Sequence, residues 1–382
     1  MDFSITEEQS LIIDSFKKFL GSEIRPITEK YKEDYFPKEK AKEIQKSMID
    51  FGIVNGFMPE KLGGFNLDTL TFGMMMFELA KVSPDIAITT LIHFASGKLM
   101  MITPKHLQDK YLSDFMSCDK IASVAMSEPG TGSDVSSASC RAVKDGDDYL
   151  ISGEKMWISS GDYSDFLYCL VSVNEDGEDQ GLGVILIDRE HGYETTNIEK
   201  TALNSQSTAQ AFMDNIKVPA ENMVVEPGKA LPVLFKLLSG SRPVVGLMAL
   251  GCAQTAFEAA LQYSLDRTQF GKPIAAKQLV QEKLATMATK IEAAKLLCFK
   301  ALNAIDNGAR TDIDAAMAKW YATDIAIEVT NLASQLHGGN GITKEFPVEY
   351  FTRAARVFLV TEGTNDMQKL MIGRSLTGIS AF

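Results

Sequence analysis

The chain has 382 residues, 45% of them hydrophobic and 23% charged, a balance typical of a globular protein that excludes a disordered or coiled-coil chain. At roughly 100–200 residues per domain, this length predicts two or three domains. The 38 basic and 50 acidic residues give a formal net charge of -12, so we expect no surface that binds nucleic acid. No uninterrupted apolar run approaches the ~20 residues that cross a bilayer, so we expect no membrane span.

Cysteine usage and the first residues predict a cytoplasmic protein. The 5 cysteines are scattered and never form a C-x-x-C pair, which favours free thiols over disulfides or a zinc site. The 4 histidines are dispersed as well, so we expect no metal site. The start of the chain, MDFSITEE, is acidic and lacks the layout of a signal or transit peptide.

Residues 1–120 are predicted to form an N-terminal helical domain. Apolar residues recur at helical spacing through 5–20, with charged residues between them. Thr6 and Gln9 stand three positions apart, as in the capping box that begins many helices. The methionines at 74–76 would face every side of a helix, so we expect them in the core rather than along an adaptable pocket.

Residues 121–228 are predicted to form a β domain. Short runs rich in β-branched and aromatic residues alternate with turns that contain Gly and Asp, which is the pattern of an antiparallel barrel or sandwich. Strands are predicted at 121–126, 149–151, 155–159, 166–171, 183–187 and 211–218.

Residues 229–382 are predicted to form a C-terminal four-helix bundle of long helices. The helical period returns in an apolar stripe from Leu247 to Leu261 and in another from Ala322 to Leu336. The predicted fold class is therefore α+β and multi-domain, with helices first, an antiparallel β-barrel or sandwich in the middle and the bundle last. Strands do not alternate with helices, so a Rossmann fold is not supported.

Two candidate binding segments lie in the β domain. Residues 127–134, SEPGTGSD, combine hydroxyl donors with glycines, which let a ligand approach the backbone closely; a plain polar turn is the alternative. Residues 156–161, MWISSG, place an aromatic ring beside hydroxyls at a strand end, which suits a planar ligand. A half-buried tryptophan of the β core is the alternative there.

Two further segments follow bundle helices. Residues 267–273, RTQFGKP, suit a phosphate or dinucleotide contact through Arg267, or simply two cations that offset the helix dipole. Residues 335–341, QLHGGNG, carry more glycines than a helix cap needs, which indicates a ligand or a neighbouring chain against bare backbone.

Glu362 is the candidate general base. It follows the apolar run 357–360 and precedes a glycine and a predicted helix. Burial beside apolar surface raises the pKa of a carboxyl group towards that of a useful base. A solvent-exposed carboxylate is the alternative for this residue taken alone.

Together and in this order, these four segments and residues 362–368, EGTNDMQ, resemble the acyl-CoA dehydrogenase family, from about residue 3 to about residue 377. The resemblance implies a helical domain, a β domain and a four-helix domain, with non-covalently bound FAD between the last two. It also implies a homotetramer in which a second subunit helps to hold FAD, an acyl-CoA substrate and electron-transfer flavoprotein as the electron acceptor.

The resemblance assigns roles to residues of this chain. The implied FAD contacts are Val124, Met126, Ser127, Gly132, Ser133, Trp157, Ile158, Ser159, Arg267, Phe270, Gln278, Gln335, Gly338, Gly339, Thr364 and Asp366. The implied acyl-CoA contacts are Ser133, Ser239, Ser241, Arg242 and Gly363, with 239–242 as a turn and Arg242 as the direct partner of CoA.

By the same resemblance, Glu362 removes the α-proton of the acyl thioester while the β-hydrogen leaves as hydride to flavin N5, giving a trans-2-enoyl thioester. Hydrogen bonds to the thioester oxygen stabilise the forming enolate. Some relatives carry the base on the bundle helix instead. That position matches Ser241, which has no carboxylate, so Glu362 is the candidate.

Three residues depart from the family pattern. Thr361 stands where many relatives have Tyr, and Ala202 and Asn204 stand where many have Gly and Arg. These departures favour a branched, cyclic or carrier-protein-bound acyl group over a standard straight chain.

Three alternatives share the fold. One is an enoyl-CoA reductase that runs the reaction backwards with electron-transfer flavoprotein. A second is a flavin monooxygenase, although such relatives generally lack the carboxylate found here at Glu362. A third is a non-catalytic scaffold, against which Glu362 and the net charge of -12 both argue.

Overall fold

The computed structural model describes residues 5–309 and 311–381; residues 1–4, Arg310 and Phe382 lie outside the described residues. The prediction that the start of the chain is not a targeting segment rests in part on residues 1–4, which lie outside the described residues.

The N-terminal part is helical, as predicted. Its helices are α1 (Glu7–Phe19), α2 (Arg25–Tyr31), α3 (Lys38–Ser47), α4 (Thr69–Val82), α5 (Pro84–Met100) and α6 (Lys105–Met116). The predicted capping box is present, since the Gln9 amide donates to Thr6 Oγ1 and the Thr6 amide donates to Gln9 Oε1, both at 3.1 Å. The methionines at 74–76 are buried in the core on α4, which confirms that prediction.

The middle part is a β domain built on one eight-stranded sheet. The strands are β1 (Ala122–Ala125), β2 (Arg141–Asp145), β3 (Asp148–Ser159), β4 (Phe166–Glu175), β5 (Glu178–Asp188), β6 (Glu194–Asn197), β7 (Thr208–Pro219) and β8 (Met223–Val225). Their order is β6-β7-β3-β2-β4-β5-β8, with β1 paired to β4.

The sheet differs from the predicted antiparallel barrel or sandwich in three respects. The pairings of β1 and of β2 with β4 are parallel. Among the described residues the end strands β6 and β8 do not pair with each other, so the sheet is open. The runs predicted at 149–151 and 155–159 form a single strand, β3, and sequence reasoning missed β2, β6 and β8. Strands β2 (RAVKD) and β6 (ETTN) are short and largely polar, and therefore lack the apolar signal of a core strand.

The C-terminal part contains the helices α7 (Ala230–Asp266), α8 (Gln278–Asp306), α9 (Asp312–His337), α10 (Val348–Val357) and α11 (Asn365–Thr377). The prediction of four long helices needs correction, because three are long, with 37, 29 and 26 residues, and two are short, with 10 and 13. A two-stranded hairpin, β9 (Thr268–Gln269) and β10 (Lys272–Pro273), joins α7 to α8.

Helix α7 is the one helix among the described residues that is long and apolar enough to be considered as a membrane span. Its most apolar window has a mean hydropathy of 1.5, but 67% of that window is buried inside the protein. It packs against α4, α8 and α9 and is a buried core helix. One apolar core joins the N-terminal helices to the bundle, and a second, smaller core lies within the β domain.

Candidate active site

Glu362 lies in the loop between α10 and α11 with a left-handed backbone. Its φ is 56°, and that of the following Gly363 is 88°. Glycine adopts this region freely, whereas a residue with a Cβ pays about 1–3 kcal/mol to stay there. The loop must therefore be held by its surroundings.

Three buried side chains hold the loop by its carbonyl groups. Arg242 Nε donates to Glu362 O at 3.2 Å, and Gln368 Nε2 donates to Gly363 O at 3.0 Å. Lys319 Nζ donates to Leu359 O and to Gly363 O, both at 2.9 Å. The carbonyls on both sides of the catalytic candidate are thus fixed from α7, α9 and α11.

The carboxylate of Glu362 faces α7, where Ser241 Oγ donates to Glu362 Oε2 at 2.6 Å. Burial raises the pKa of the Glu362 carboxyl, although the Ser241 hydrogen bond and the charges of Arg242 and Lys319 work in the opposite direction. A half-buried carboxylate with a raised pKa is suited to take a proton from carbon. The predicted direction of this pKa shift is confirmed.

The stretch 239–242 is part of helix α7 and not the turn that was expected. It precedes Pro243, which has no N–H and leaves the Ser239 carbonyl without its helical donor. Ser239 Oγ lies 3.0 Å from both Phe235 O and Asp312 Oδ1, and these two acceptors share its single proton. Arg242, expected to contact CoA directly, is only 5% exposed and is directed at Glu362.

The loop after β1 is anchored by a buried ion pair that sequence reasoning missed. Lys155 Nζ and Glu128 Oε1 lie 2.7 Å apart, and Lys155 also donates to Met126 O at 3.1 Å. Glu128 accepts the backbone amides of Ser139 and Cys140 at 2.8 and 2.9 Å. Burial raises the pKa of Glu128, but the Lys155 hydrogen bond and these amides outweigh it and lower the pKa to about 2.

Above this ion pair, the loop presents polar atoms and bare backbone. Thr131 Oγ1 is buried and has no hydrogen-bond partner in the protein. A Cβ built at Gly130 or Gly132 would meet no atom within 4 Å. Trp157 has φ 62° at an irregularity of the β3–β7 pairing and is 57% exposed, so it is not the core tryptophan of the alternative interpretation.

The hairpin after α7 carries the exposed residues of the RTQFGKP segment. Phe270 and Gly271 form its tip, with φ values of 54° and 74°, and Phe270 is 93% exposed. Phe270 and Gln335 line one open groove of about 590 Å³, together with apolar residues of α8. Arg267 directly follows α7 and is exposed.

The glycines after α9 divide into two kinds. A Cβ at Gly341 would lie 2.2 Å from Ser334 O, so this glycine is required by packing within the chain. A Cβ at Gly338 or Gly339 would meet no atom within 4 Å. The φ of 59° explains a glycine at 338 within the chain, whereas neither packing nor a positive φ requires one at 339.

Three family models for acyl-CoA dehydrogenases match successive parts of the chain. The N-terminal domain model matches residues 6–119, the middle domain model 123–216 and the C-terminal domain model 230–377. The chain belongs to the acyl-CoA dehydrogenase family. Members of this family are FAD-dependent oxidoreductases that act on acyl-CoA substrates.

Individual acyl-CoA dehydrogenase relatives match over nearly their full length. The chain is 34% identical to the cyclohex-1-ene-1-carbonyl-CoA dehydrogenase of Syntrophus aciditrophicus, over 97% of this chain and 90% of that protein. It is 34% identical to a subunit of the caffeyl-CoA reductase-Etf complex of Acetobacterium woodii, over 96% and 97%. The butyryl-CoA dehydrogenase structure from Megasphaera elsdenii has a TM-score of 0.91 at 30% identity, covering 98% of this chain and 100% of that one.

The residues predicted from the acyl-CoA dehydrogenase resemblance fall into three groups in space. Ser239, Ser241, Arg242, Glu362 and Gly363 lie together with Thr364, which caps α11. The β-domain group comprises Val124, Met126, Ser127, Gly132, Ser133, Trp157, Ile158 and Ser159. The third comprises Arg267, Phe270, Gln278, Gln335, Gly338 and Gly339.

Within the described residues, no hydrogen bond or ion pair joins the Glu362 group to the β-domain group. Ile158 is buried in the β core, whereas Asp366 and Gln278 are exposed. The structure of one chain therefore shows one assembled cluster and two open surfaces. No group of three or more His, Cys, Asp or Glu side chains in residues 5–309 and 311–381 is placed to hold a metal ion.

Sequence reasoning assigned no role to Lys319, Asn365 or Gln368, whose side chains hold the Glu362 loop. One signal was available for Lys319. It interrupts the small apolar residues of the α9 stripe, which include Ala315 and Ala322, and a lysine on a buried face needs partners.

Proposed function

We propose that this protein is an FAD-dependent acyl-CoA dehydrogenase that desaturates an acyl-CoA thioester at its α and β carbons, with Glu362 as the base. The observation that carries the proposal is the Glu362 carboxylate itself. It is half-buried, has a raised pKa, and accepts a 2.6 Å hydrogen bond from Ser241 in a loop held on three sides.

The side chains around Glu362 serve proton removal from carbon. The carboxylate takes the α-proton, and Ser241 orients the oxygen that receives it. The fixed carbonyls of Glu362 and Gly363 keep the carboxylate from swinging towards solvent, so that little reorganisation precedes the transfer. When bound, FAD supplies the acceptor for the β-hydrogen, which leaves as hydride.

The β-domain and hairpin surfaces fit FAD. A flat, exposed Trp157, the open faces at Gly130 and Gly132 and the unpartnered Thr131 Oγ1 suit a planar ring with polar edges. Val124, Met126, Ser127, Ser133, Ser159 and the backbone of Ile158, whose side chain is buried in the β core, complete this surface in the proposal. Gly338, Gly339, Arg267, Phe270, Gln278 and Gln335 would hold the diphosphate and adenosine, and Thr364 and Asp366 would line the same ligand.

A homotetramer is part of the proposal. The open backbone of Gly339 and the Phe270 ring, which is 93% exposed with Lys277 Nζ 5.4 Å from its centroid, would be covered by a second subunit. Electron-transfer flavoprotein is the proposed electron acceptor, and the cytoplasm is the proposed location.

The proposed substrate is a branched or cyclic acyl-CoA, or an acyl group on a carrier protein. Thr361 is half-buried next to the base, and Ala202 and Asn204 replace the residues of many relatives. A relative 34% identical to the chain is named for a cyclic acyl-CoA, which supports this choice. Ser133, Ser239, Ser241, Arg242 and Gly363 are the proposed substrate contacts.

The second candidate is an enoyl-CoA reductase that works with electron-transfer flavoprotein. A relative 34% identical is a subunit of a caffeyl-CoA reductase-Etf complex, and that likeness favours this alternative over other reversed chemistries. The same Glu362 would then return a proton to the α carbon.

The test is the anaerobic visible spectrum of the purified holoprotein with a panel of straight, branched, cyclic and dicarboxylic acyl-CoAs. Bleaching by one saturated member supports the dehydrogenase and names the substrate class. If no saturated acyl-CoA bleaches the flavin, and an enoyl-CoA oxidises the chemically reduced protein, the result supports the reductase. A colourless protein that FAD does not reconstitute would overturn both.

The Glu362→Gln variant is the companion to this test. It keeps a side chain of the same size, so we expect the flavin colour and acyl-CoA binding to persist. The rate of bleaching should fall by about 10²–10⁴-fold, the usual contribution of a general base. Bleaching at the wild-type rate would assign the base to another residue.

A further inference from the structure

Lys319 lies on the buried side of α9, and its side chain has no exposed surface. Its Nζ donates to Leu359 O and Gly363 O, both at 2.9 Å, and to Asn365 Oδ1 at 2.7 Å. All three partners are acceptors, and only a protonated ammonium has three N–H groups to give them. This geometry favours the charged lysine, although burial lowers its pKa to about 7.

The three acceptors of Lys319 bracket Glu362 in the chain. Leu359 precedes the base, and Gly363 and Asn365 follow it, so one ammonium ties both ends of the loop to α9. A buried charge that loses its partners is strongly destabilising. The loop carbonyls must therefore stay turned towards Lys319, which keeps Glu362 in its left-handed conformation.

The side-chain amide of Asn365, whose oxygen is the third acceptor of Lys319, is itself held by hydrogen bonds. Its Nδ2 donates to Thr323 Oγ1 at 2.9 Å and to Asp324 Oδ1 at 2.8 Å. These bonds orient the amide so that its oxygen faces Lys319. The loop is thus held by Lys319, Thr323 and Asp324 on α9 together with Asn365, the first residue of α11.

The charged side chains around Glu362 also affect its ionisation. The charged groups that face the Glu362 carboxylate are Arg242 on α7 and Lys319 on α9, and both favour its ionised form. The side chains that α11 places at the loop, Asn365 and Gln368, are uncharged. On the outer side, Asp312 faces Arg242 and Asp324 faces Lys319.

We propose that Lys319 is a positioning residue for the base Glu362: its ammonium clamps the loop 359–365, and its charge favours the ionised carboxylate. The inference rests on the proposed function of Glu362. It adds that the readiness of the base depends on a lysine that touches neither substrate nor cofactor.

The test compares Lys319→Met and Lys319→Gln with the wild-type holoenzyme. Methionine keeps the volume but removes the charge and the donors, and glutamine removes the charge but keeps donors. Because a nearby cation is lost in both, the pKa of Glu362 rises and the acid limb of kcat/KM moves to higher pH. We expect a shift of at least half a pH unit in both, with kcat reduced about tenfold or more in Lys319→Met and KM changed less.

Lys290→Met is the matched control. Lys290 also contacts α9, through an ion pair with Glu328 at 2.6 Å, but both side chains are partly exposed and neither contacts the loop. The pH profile of this variant should coincide with that of the wild type. Flavin absorbance and thermal melting of each variant show whether the fold and FAD are retained.

A second readout needs no substrate. Infrared titration of the protonated carboxyl band that disappears in Glu362→Gln reports the pKa of Glu362 directly. If no acyl-CoA is turned over but this band shifts in Lys319→Met, the proposed function fails and the lysine inference stands. If the band and the acid limb stay at wild-type pH in folded, yellow variants, the inference is overturned. Failure of both Lys319 variants to fold would also overturn it, because the lysine would then serve stability alone.

Discussion

Ser241 Oγ donates a hydrogen bond of 2.6 Å to Glu362 Oε2 across 121 positions of the chain. Ser241 lies on α7, and Glu362 lies in the loop between α10 and α11. The contact therefore joins a long bundle helix to the loop that carries the candidate base, with Ser241 as donor and Glu362 as acceptor.

We expect Ser241→Ala to raise the pKa of Glu362. In the wild type the hydrogen bond from Ser241 stabilises the ionised carboxylate, and the variant lacks that bond. The acid limb of kcat/KM should move up by about one pH unit, which corresponds to about 1.4 kcal/mol. The measurement is a pH series of steady-state rates with an artificial electron acceptor. Ser264→Ala, which removes a hydroxyl bonded to Ala260 O on the same helix, should leave the profile in place. An unmoved limb in Ser241→Ala would show that the hydroxyl does not tune the base.

The buried ion pair of Lys155 and Glu128 predicts an effect on stability in the β domain, next to the proposed FAD contacts. Lys155→Met leaves a buried carboxylate without its cation, which costs about 3–5 kcal/mol. The melting temperature and the retained flavin should both fall. Lys18→Met, at an exposed position of α1, is the control and should change neither. Wild-type stability in Lys155→Met would mean that the backbone amides of Ser139 and Cys140 satisfy Glu128 alone.

The same pair predicts how stability depends on pH. The pKa of Glu128 is lowered from 4.5 to about 2 in the folded protein, so its contribution is present above pH 4.5 and is lost as the pH falls towards 2. The difference in melting temperature between the wild type and Glu128→Gln should therefore shrink across that range. A difference that stays constant with pH would contradict this assignment.

A substitution at Gly339 tests ligand binding without disturbing packing within the chain. A Cβ there meets no atom within 4 Å and its φ is not positive, so Gly339→Ala should leave the melting temperature of the apoprotein unchanged. If FAD or a second subunit covers this backbone, the Kd for FAD should rise about tenfold or more, or about 1.4 kcal/mol. Gly21→Ala, at a second open site, is the control. Tight FAD binding in Gly339→Ala would remove this face from the cofactor site.

Phe270 tests the proposed tetramer. The side chain is 93% exposed at the tip of the hairpin, and such a position gains little from folding within one chain. Phe270→Ala should lower the tetramer fraction in sedimentation velocity and weaken flavin retention, while leaving the far-ultraviolet circular dichroism intact. Leu11→Ala, which removes another exposed apolar side chain, should not affect assembly. A wild-type tetramer in Phe270→Ala would place the interface elsewhere.

Features that depend on neighbours along the chain could be predicted from the sequence. The helical period of the first and last parts, the Thr6–Gln9 cap and the apolar run before Glu362 are all local, and the structure confirms each. The division at residues 120 and 228 stays a prediction.

Features that depend on the assembled core could not be predicted. The parallel pairings of β4, the helical course of 239–242 and the burial of Arg242 follow from how distant elements pack. A polar residue gives the same pattern in the sequence whether its side chain is exposed to water or buried against a hydrogen-bond partner.

The sequence by itself determined which kinds of element form and which carboxylate is the candidate base. Only the tertiary structure decided what surrounds that carboxylate. Lys319 and Gly363 are 44 positions apart, and Ser241 and Glu362 are 121 apart. Such contacts exist because burial of the apolar faces of α7 and α9 brings polar groups together in a place without water, where each must find a partner.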